Sequence, residues 1–355
     1  MTAQAATARR IALAMGSGRL LLPGLLVLLT VALLVELLLG AVVIPPGRML
    51  ELLTGAAPTQ REAAVLWQIR LPRGALAIAI GAALGLAGAA QQGLFRNPLA
   101  DPALIGVSSG AALAAVTAIV LGERIGTWLV FLPAGALVPL FAFGGGLAAT
   151  LLALRLSRAA GPGGEGTGSL LLAGIAVNAV CAAGTGLLIT VSDDRQLRDI
   201  IFWTMGSLAT GGWYGAAGAG IGAVLALAVL LPAARALDAL LLGEQEAAYL
   251  GIRVDRLRLM VVIATALAVG ATVAAAGVIG FVGLVVPHLV RLIGGPRHGL
   301  VLPGAALLGA ALLLLSDAAS RVLAAPAELP IGLVTSALGG PFFIALLLRR
   351  GRGAA

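Results

Sequence analysis

The sequence predicts an all-helical, polytopic membrane protein of about ten crossings, and three observations carry that prediction. Hydrophobic residues make up 60% of the 355 positions and charged residues 11%, whereas soluble domains carry about a quarter charged. Several apolar runs reach the roughly 20 residues a helix needs to cross hydrocarbon. The polar–apolar alternation of barrel strands is absent, and only helices or closed barrels satisfy backbone polar groups inside lipid.

The first run, Leu20 to Ile44, follows Arg9, Arg10 and Arg19. It exceeds the roughly 7–15 residues of a signal-peptide core and lacks a convincing cleavage site, so it reads as a retained helix behind a tail, residues 1–19. Further spans are expected at 74–93, 103–121, 128–154 and 169–191. The remainder fall at 213–232, 259–276, 278–294, 300–317 and 330–348. The seventh and eighth are nearly continuous, which leaves open one span plus a re-entrant turn. Residues 20–350 thus form one membrane domain, with a polar insert at 233–258, a tail at 351–355 and no separate soluble domain.

All 23 basic side chains are arginine. With the N-terminus inside the cell, fifteen fall in inner loops and eight in outer segments. That bias places both termini in the cytoplasm. It also reads the net charge of +8 as topology rather than as a nucleic-acid footprint. Arg48, Arg61, Arg70 and Arg73 crowd into the outer segment before the second span. Cys181 stands alone, which excludes an internal disulfide. GxxxG spacing at Gly81 and Gly85 announces close helix packing and nothing more specific.

The stretch GLFRNPLADPALIGVSSG, Gly93 to Gly110, places Arg96, Asn97 and Asp101 between two prolines and two apolar runs. Each proline removes a donor and extends its predecessor, so the stretch is a stiff polar turn. Catalytic apparatus is missing. A nucleotide-binding P-loop needs a lysine that this chain lacks. No cluster has metal-ligand spacing, and His288 and His298 read as interfacial or loop histidines. No nucleophile, base and acid set is visible. Proton coupling usually needs ionisable groups deep in the bilayer. Glu36 is the one strong candidate, and a structural role, paired or facing a wet crevice, is the preferred reading. In the insert, Leu240, Leu241, Leu242, Ala247 and Leu250 could dock into a partner's groove or lie at the membrane surface.

Five segments carry a resemblance: GLFRNPLADPALIGVSSGA, FWTMGSL, LLLGEQEAAYLGI, GVIGFVGLVVPHLVRLIGG and AELPIGLVTSALGGPFFIALLL. In this order and spacing they resemble the FecCD-type permeases of ATP-binding cassette (ABC) importers for iron chelates, haem and vitamin B12. The likeness covers nearly the whole chain after about Val65, and the haem branch is nearest. It implies a homodimer in the bacterial inner membrane with ten helices per subunit and a path along the two-fold axis. It also implies two cytoplasmic ATPase subunits, which hold the ATP and Mg, and a periplasmic binding protein. This chain would bind no cofactor itself and would not be an enzyme.

Residue by residue, Leu242, Gly243, Glu244, Glu246, Ala247, Leu250 and Gly251 match the helices that couple to the ATPase. Asn97, Pro98 and Leu99 match a cytoplasmic gate loop, with Thr167 and Gly168 as its second element. Arg70, Arg73 and Arg321 match positions that receive carboxylates from the binding protein. Guanidinium groups suit that task because they stay charged and clamp carboxylates bidentately. SDDRQLRDIIFWTMGSL resembles the haem branch, so Arg195 and Arg198 are candidates to meet propionates at the entrance, or to pair with Asp193, Asp194 or Asp199. Ferric siderophore or vitamin B12 remains an alternative cargo. An ion-coupled secondary transporter and a structural scaffold are alternatives of a different class.

Overall fold

The computed structural model describes residues 2–39, 45, 47–48, 51, 60–126, 133, 135–159, 167–325 and 327–352. Every regular element among them is a helix. Helix α1, Thr2–Leu38, runs unbroken from the expected tail into the first span. A short α2, Gln60–Ala64, passes through a π-helical turn, Val65–Arg70, into α3, Leu71–Leu94. The RLPR segment therefore lies in helix, not ahead of it. Pro72 is accommodated because it falls in the first turn of α3, where a missing N–H is least costly.

A 3₁₀ turn at Pro102–Ile105 leads into α4, Val107–Gly126, then α5, Leu137–Ala159, and α6, Thr167–Thr190. The short α7, Asp194–Met205, begins with a capping box in which Asp193 and Gln196 satisfy each other's backbone N–H groups. Helix α8, Gly212–Leu230, ends at the polar insert, which folds as α9, Ala234–Leu240, and α10, Glu244–Tyr249. The chain then forms α11, Val254–Ala276, α12, Val282–Gly294, α13, His298–Leu323, and α14, Ile331–Arg352. Among the described residues, seven helices are long and apolar enough to cross a membrane, and three more are shorter apolar helices. This is a multi-pass membrane protein.

The nearly continuous run of the seventh and eighth expected spans is broken between α11 and α12. Gly277 at φ 72° and Phe281 at φ 66° break the run into two helices. At 1.5 Å per residue the 13 residues of α12 extend about 20 Å, short of a hydrocarbon core of about 30 Å. The Phe281 side chain sits where a Cβ on Gly339 of α14 would be. That contact holds the turn in a backbone region few side chains adopt.

Helix α3 is the centre of the bundle: 83% of its span is buried, against 17% for α6. Lipid offers no hydrophobic drive between helices, so association depends on close packing. A Cβ on Gly81 would overlap the main chain of Gly309, one on Gly85 that of Ala305, and one on Gly88 that of Gly283. Helix α3 therefore meets α13 and α12 backbone to backbone.

One end of the bundle carries α9 and α10, hereafter the insert end. At the far end a buried ion cluster ties α1, α3 and α13 together. Arg73 Nε and Nη2 donate to the two oxygens of Asp317 at 2.7 and 2.9 Å, a bidentate clamp. Its Nη1 donates to Glu328 at 2.9 and 3.1 Å. Arg321 lies 2.6 Å from Glu36 and 3.3 Å from Asp317. It also donates to the carbonyls of Glu36 and Leu39 at 3.1 and 2.9 Å, while Arg70 donates to those of Leu37 and Leu38. These carbonyls are the unpaired acceptors at the C-terminus of α1, and cations are favoured there. Glu36 lies two residues from the last residue of α1 and is paired with Arg321.

Removing one partner of a buried ion pair costs about 3–5 kcal/mol, because the remaining charge is left uncompensated. Asp317→Ala removes the buried carboxylate shared by Arg73 and Arg321 and should lower the melting temperature of the purified chain sharply. Glu328→Ala, at a half-exposed carboxylate, should cost no more than about 1 kcal/mol. Equal melting temperatures for the two variants would show that the cluster does not hold the helices together.

Candidate functional site

The insert end presents an open cleft of about 610 Å³ lined by Arg96, Thr167, Gly168 and residues 242–246. Three segments far apart in sequence meet here: the loop after α3, the start of α6 and the α9–α10 insert. The loop is stiff for identifiable reasons. Arg96 takes φ 49° at the end of α3. The Asn97 side chain accepts from the Leu99 N–H at 2.9 Å. The Asp101 side chain caps the 3₁₀ turn by accepting from Ala103 N–H at 2.8 Å. Burial pushes the Asp101 carboxyl above the usual carboxylate range, and the Ala103 N–H opposes that push. Helix α6 is pinned to the same turn, because Asn178 donates to the carbonyl of Ala103 at 3.1 Å and bonds to Ser109. Of the expected gate residues, Thr167 and Gly168 line this cleft; Asn97, Pro98 and Leu99 do not, although Arg96 just before them does. The glycine-rich residues 160–166 just before them lie outside the described residues.

The insert divides its apolar residues between two tasks. Leu237, Leu240 and Ala247 are buried and fix α9 and α10 to the bundle. Leu242, Tyr249 and Leu250 are 70%, 90% and 65% exposed, with Leu241 beside them. Tyr249 was not anticipated from sequence. Gly243 sits at φ 142°, and a Cβ there would overlap the Glu246 carboxylate. Any other residue would be strained at that φ in the turn from α9 into α10. Glu244 lies 3.2 Å from Arg258 and 3.4 Å from the Thr167 hydroxyl, so it staples the insert to α11 and α6. Gly251, at φ 83°, ends α10 with open space around it.

Both histidines, expected at interfaces or in loops, are buried. His288 packs edge-on to Phe342, with ring centroids 6.1 Å apart. His298 stands at the N-terminus of α13, its ring Nδ1 2.7 Å from Asp238 of α9. Arg291 donates to the Ala89 carbonyl at 3.1 Å and to Gln92, whose amide donates to the Leu284 carbonyl at 3.0 Å. Sequence reasoning passed over this group. Its available signal was the polar pair Gln91–Gln92 inside an apolar run, since polar side chains in membrane helices need partners.

At the far end the structure shows what surrounds the expected docking residues within one chain. Arg70, Arg73 and Arg321 are buried, and their guanidinium groups are engaged by carboxylates and carbonyls of this same chain. A desolvated cation must be paired, and Glu36, Asp317, Glu328 and the end of α1 supply the partners. Arg195 and Arg198, by contrast, lie exposed on α7. Neither forms an ion pair with Asp193, Asp194 or Asp199. No group of three or more His, Cys, Asp or Glu that could hold a metal occurs among the described residues.

Comparison with known proteins agrees with this architecture. The FecCD transport family matches residues 28–349. The hemin transport system permease protein HmuU of Yersinia pestis is 46% identical over 296 residues, covering 80% of this chain and 84% of that protein. The vitamin B12 import system permease protein BtuC of Escherichia coli is 41% identical over 327 residues, covering 92% and 94%. A solved metal-chelate type ABC transporter in an inward-facing conformation superposes with a TM-score of 0.80 at 32% identity, covering 92% of this chain and 98% of that one. With a match over nearly its full length and these helices in this order, the chain belongs to the FecCD transport family.

Proposed function

We propose that this chain is the permease subunit of an ABC importer in a bacterial inner membrane, working as a homodimer with two ATPase subunits at the insert end. The observation that carries this reading is the exposed apolar ridge of Leu242, Tyr249 and Leu250 on a short helix pair at one end of a membrane bundle. An apolar helix face outside the membrane fits a partner's groove. The relatives named as import permeases support the same reading. The chain has no lysine for a P-loop, so an ATP-driven cycle needs a partner ATPase. With the insert facing the cytoplasm, closure of the ATPase pair would press on α9 and α10 and move the bundle between two packings. The cleft joining the insert to the loop after α3 and the start of α6 suits a gate driven from that side. Helix α6 is so little buried within one subunit that it is free to face a second copy across a substrate path. Delivery of cargo by a periplasmic binding protein completes the scheme.

Haem is the cargo we favour, on the strength of the hemin permease likeness and of the exposed Arg195 and Arg198 at the far end, which form no ion pair among the described residues. Haem's two propionates suit guanidinium groups. Vitamin B12 or a ferric siderophore is the competing cargo, and the longer alignment with the vitamin B12 permease favours the former.

The chain reconstituted in liposomes with its ATPase and binding protein should take up cargo only with ATP. Uptake without ATP that follows an imposed proton gradient would establish an ion-coupled transporter instead. Leu250→Asp should abolish uptake and weaken co-purification of the ATPase while the chain remains folded; unaltered uptake would remove the ridge from the mechanism. Arg195→Glu with Arg198→Glu should slow haem uptake at low salt, where screening is least, and leave vitamin B12 uptake less affected. Equal loss for both cargoes would count against propionate recognition.

A further inference from the structure

We infer that the chain of contacts Asp238–His298–Arg291–Gln92 is the fastening through which movement of the α9–α10 insert reaches the membrane helices. These four are then positioning residues for transport. The inference rests on the importer reading above and names the route inside this chain by which a push on the insert is transmitted.

The geometry leaves the insert no independent motion. Asp238 Oδ1 accepts from the backbone N–H of His298 at 2.7 Å and faces ring Nδ1 at 2.7 Å. A helix N-terminus is usually capped by the residue just before it. Here the cap of α13 comes from α9, 60 residues away, so α9 cannot shift without pulling α13 or uncapping it. The exposed docking ridge begins four residues after Asp238, at Leu242.

A carboxylate only accepts, so Nδ1 carries the ring proton and Nε2 is left as an acceptor. It faces Arg291 Nη2 at 3.5 Å. Arg291 has no carboxylate within ion-pair distance among the described residues. Its guanidinium is held by the Ala89 carbonyl, the Gln92 side chain and this imidazole. The imidazole thus stands between a carboxylate of the insert and a cation of α12, and Gln92 passes the chain on to α3. The seat has no slack, because a Cβ on Gly93 would overlap His298 Nε2. From there α3 and α13 run in main-chain contact towards the far-end ion cluster. Displacement at one end is carried by stiff elements rather than absorbed by side chains.

The test compares wild type with Asp238→Ala, His298→Ala, Asp238→Asn and Gly93→Ala, each reconstituted with the ATPase and binding protein. Readouts are assembly of the complex, ATP hydrolysis and cargo imported per ATP. Asp238→Ala and His298→Ala should assemble and hydrolyse ATP within about twofold of wild type while cargo per ATP falls about tenfold or more, the size of ordinary site-to-site coupling. Asp238→Asn keeps an oxygen that can accept both N–H groups and should restore most of the coupling. Gly93→Ala displaces the ring without removing a polar group and should reproduce the loss, which covers the case in which an alanine variant fails to assemble. Unchanged cargo per ATP in these variants would overturn the inference. So would loss of assembly and melting temperature together in all of them, Gly93→Ala included, since the contacts would then serve the fold alone. Absence of ATP-driven uptake by wild type would instead remove the importer reading.

Discussion

Main-chain contact between helices is the constraint on which the remaining structure depends. Helix α3 touches α13 at Gly81–Gly309 and Gly85–Ala305, and α12 at Gly88–Gly283, with no room for a Cβ at any of the three α3 glycines. Lipid tails compete with leucine side chains on equal terms, so a membrane bundle gains little from apolar area alone. It gains from close approach, where dispersion contacts are dense and polar backbones align. Once α3 is seated this way it is almost wholly enclosed, and its two ends become fixed points for whatever is fastened to them.

Those two ends are fastened by different chemistry. At the far end, charges that would be prohibitive in hydrocarbon neutralise one another: Arg70, Arg73 and Arg321 are set against Glu36, Asp317, Glu328 and the last carbonyls of α1. At the insert end the fastening is a series of hydrogen bonds running from Asp238 through His298 and Arg291 to Gln92. The first gives a rigid anchor. The second joins a surface element to the bundle through groups whose geometry is directional, which suits a connection that must transmit displacement.

Much of the architecture was legible before any coordinate. The apolar runs gave the helices, and the turn around Asn97 and Asp101 is as stiff and polar as its prolines imply. The insert at 233–258 folds as two short helices, α9 and α10, followed by the first residues of α11. What the sequence left unread shares one cause. Arg70, Arg73 and Arg321 match docking positions by family resemblance, but their pairing within the chain is invisible in a linear reading. Their intramolecular partners lie up to 285 residues away. Nothing local to RLPR reveals that Asp317 and Glu328 fold back onto Arg73. His298 was misread for the same reason, its partner Asp238 belonging to an element that looks independent in sequence.

Composition and run length settle that this polypeptide lives in a membrane as a helical bundle, because backbone hydrogen bonding in hydrocarbon admits no other answer for such runs. The missing lysine likewise excludes a P-loop, since that chemistry needs its particular side chain. Which arginine is buried and which is exposed was decided only when the chain closed on itself. A charge is priced by the dielectric and partners around it, and those are properties of the folded bundle rather than of any segment.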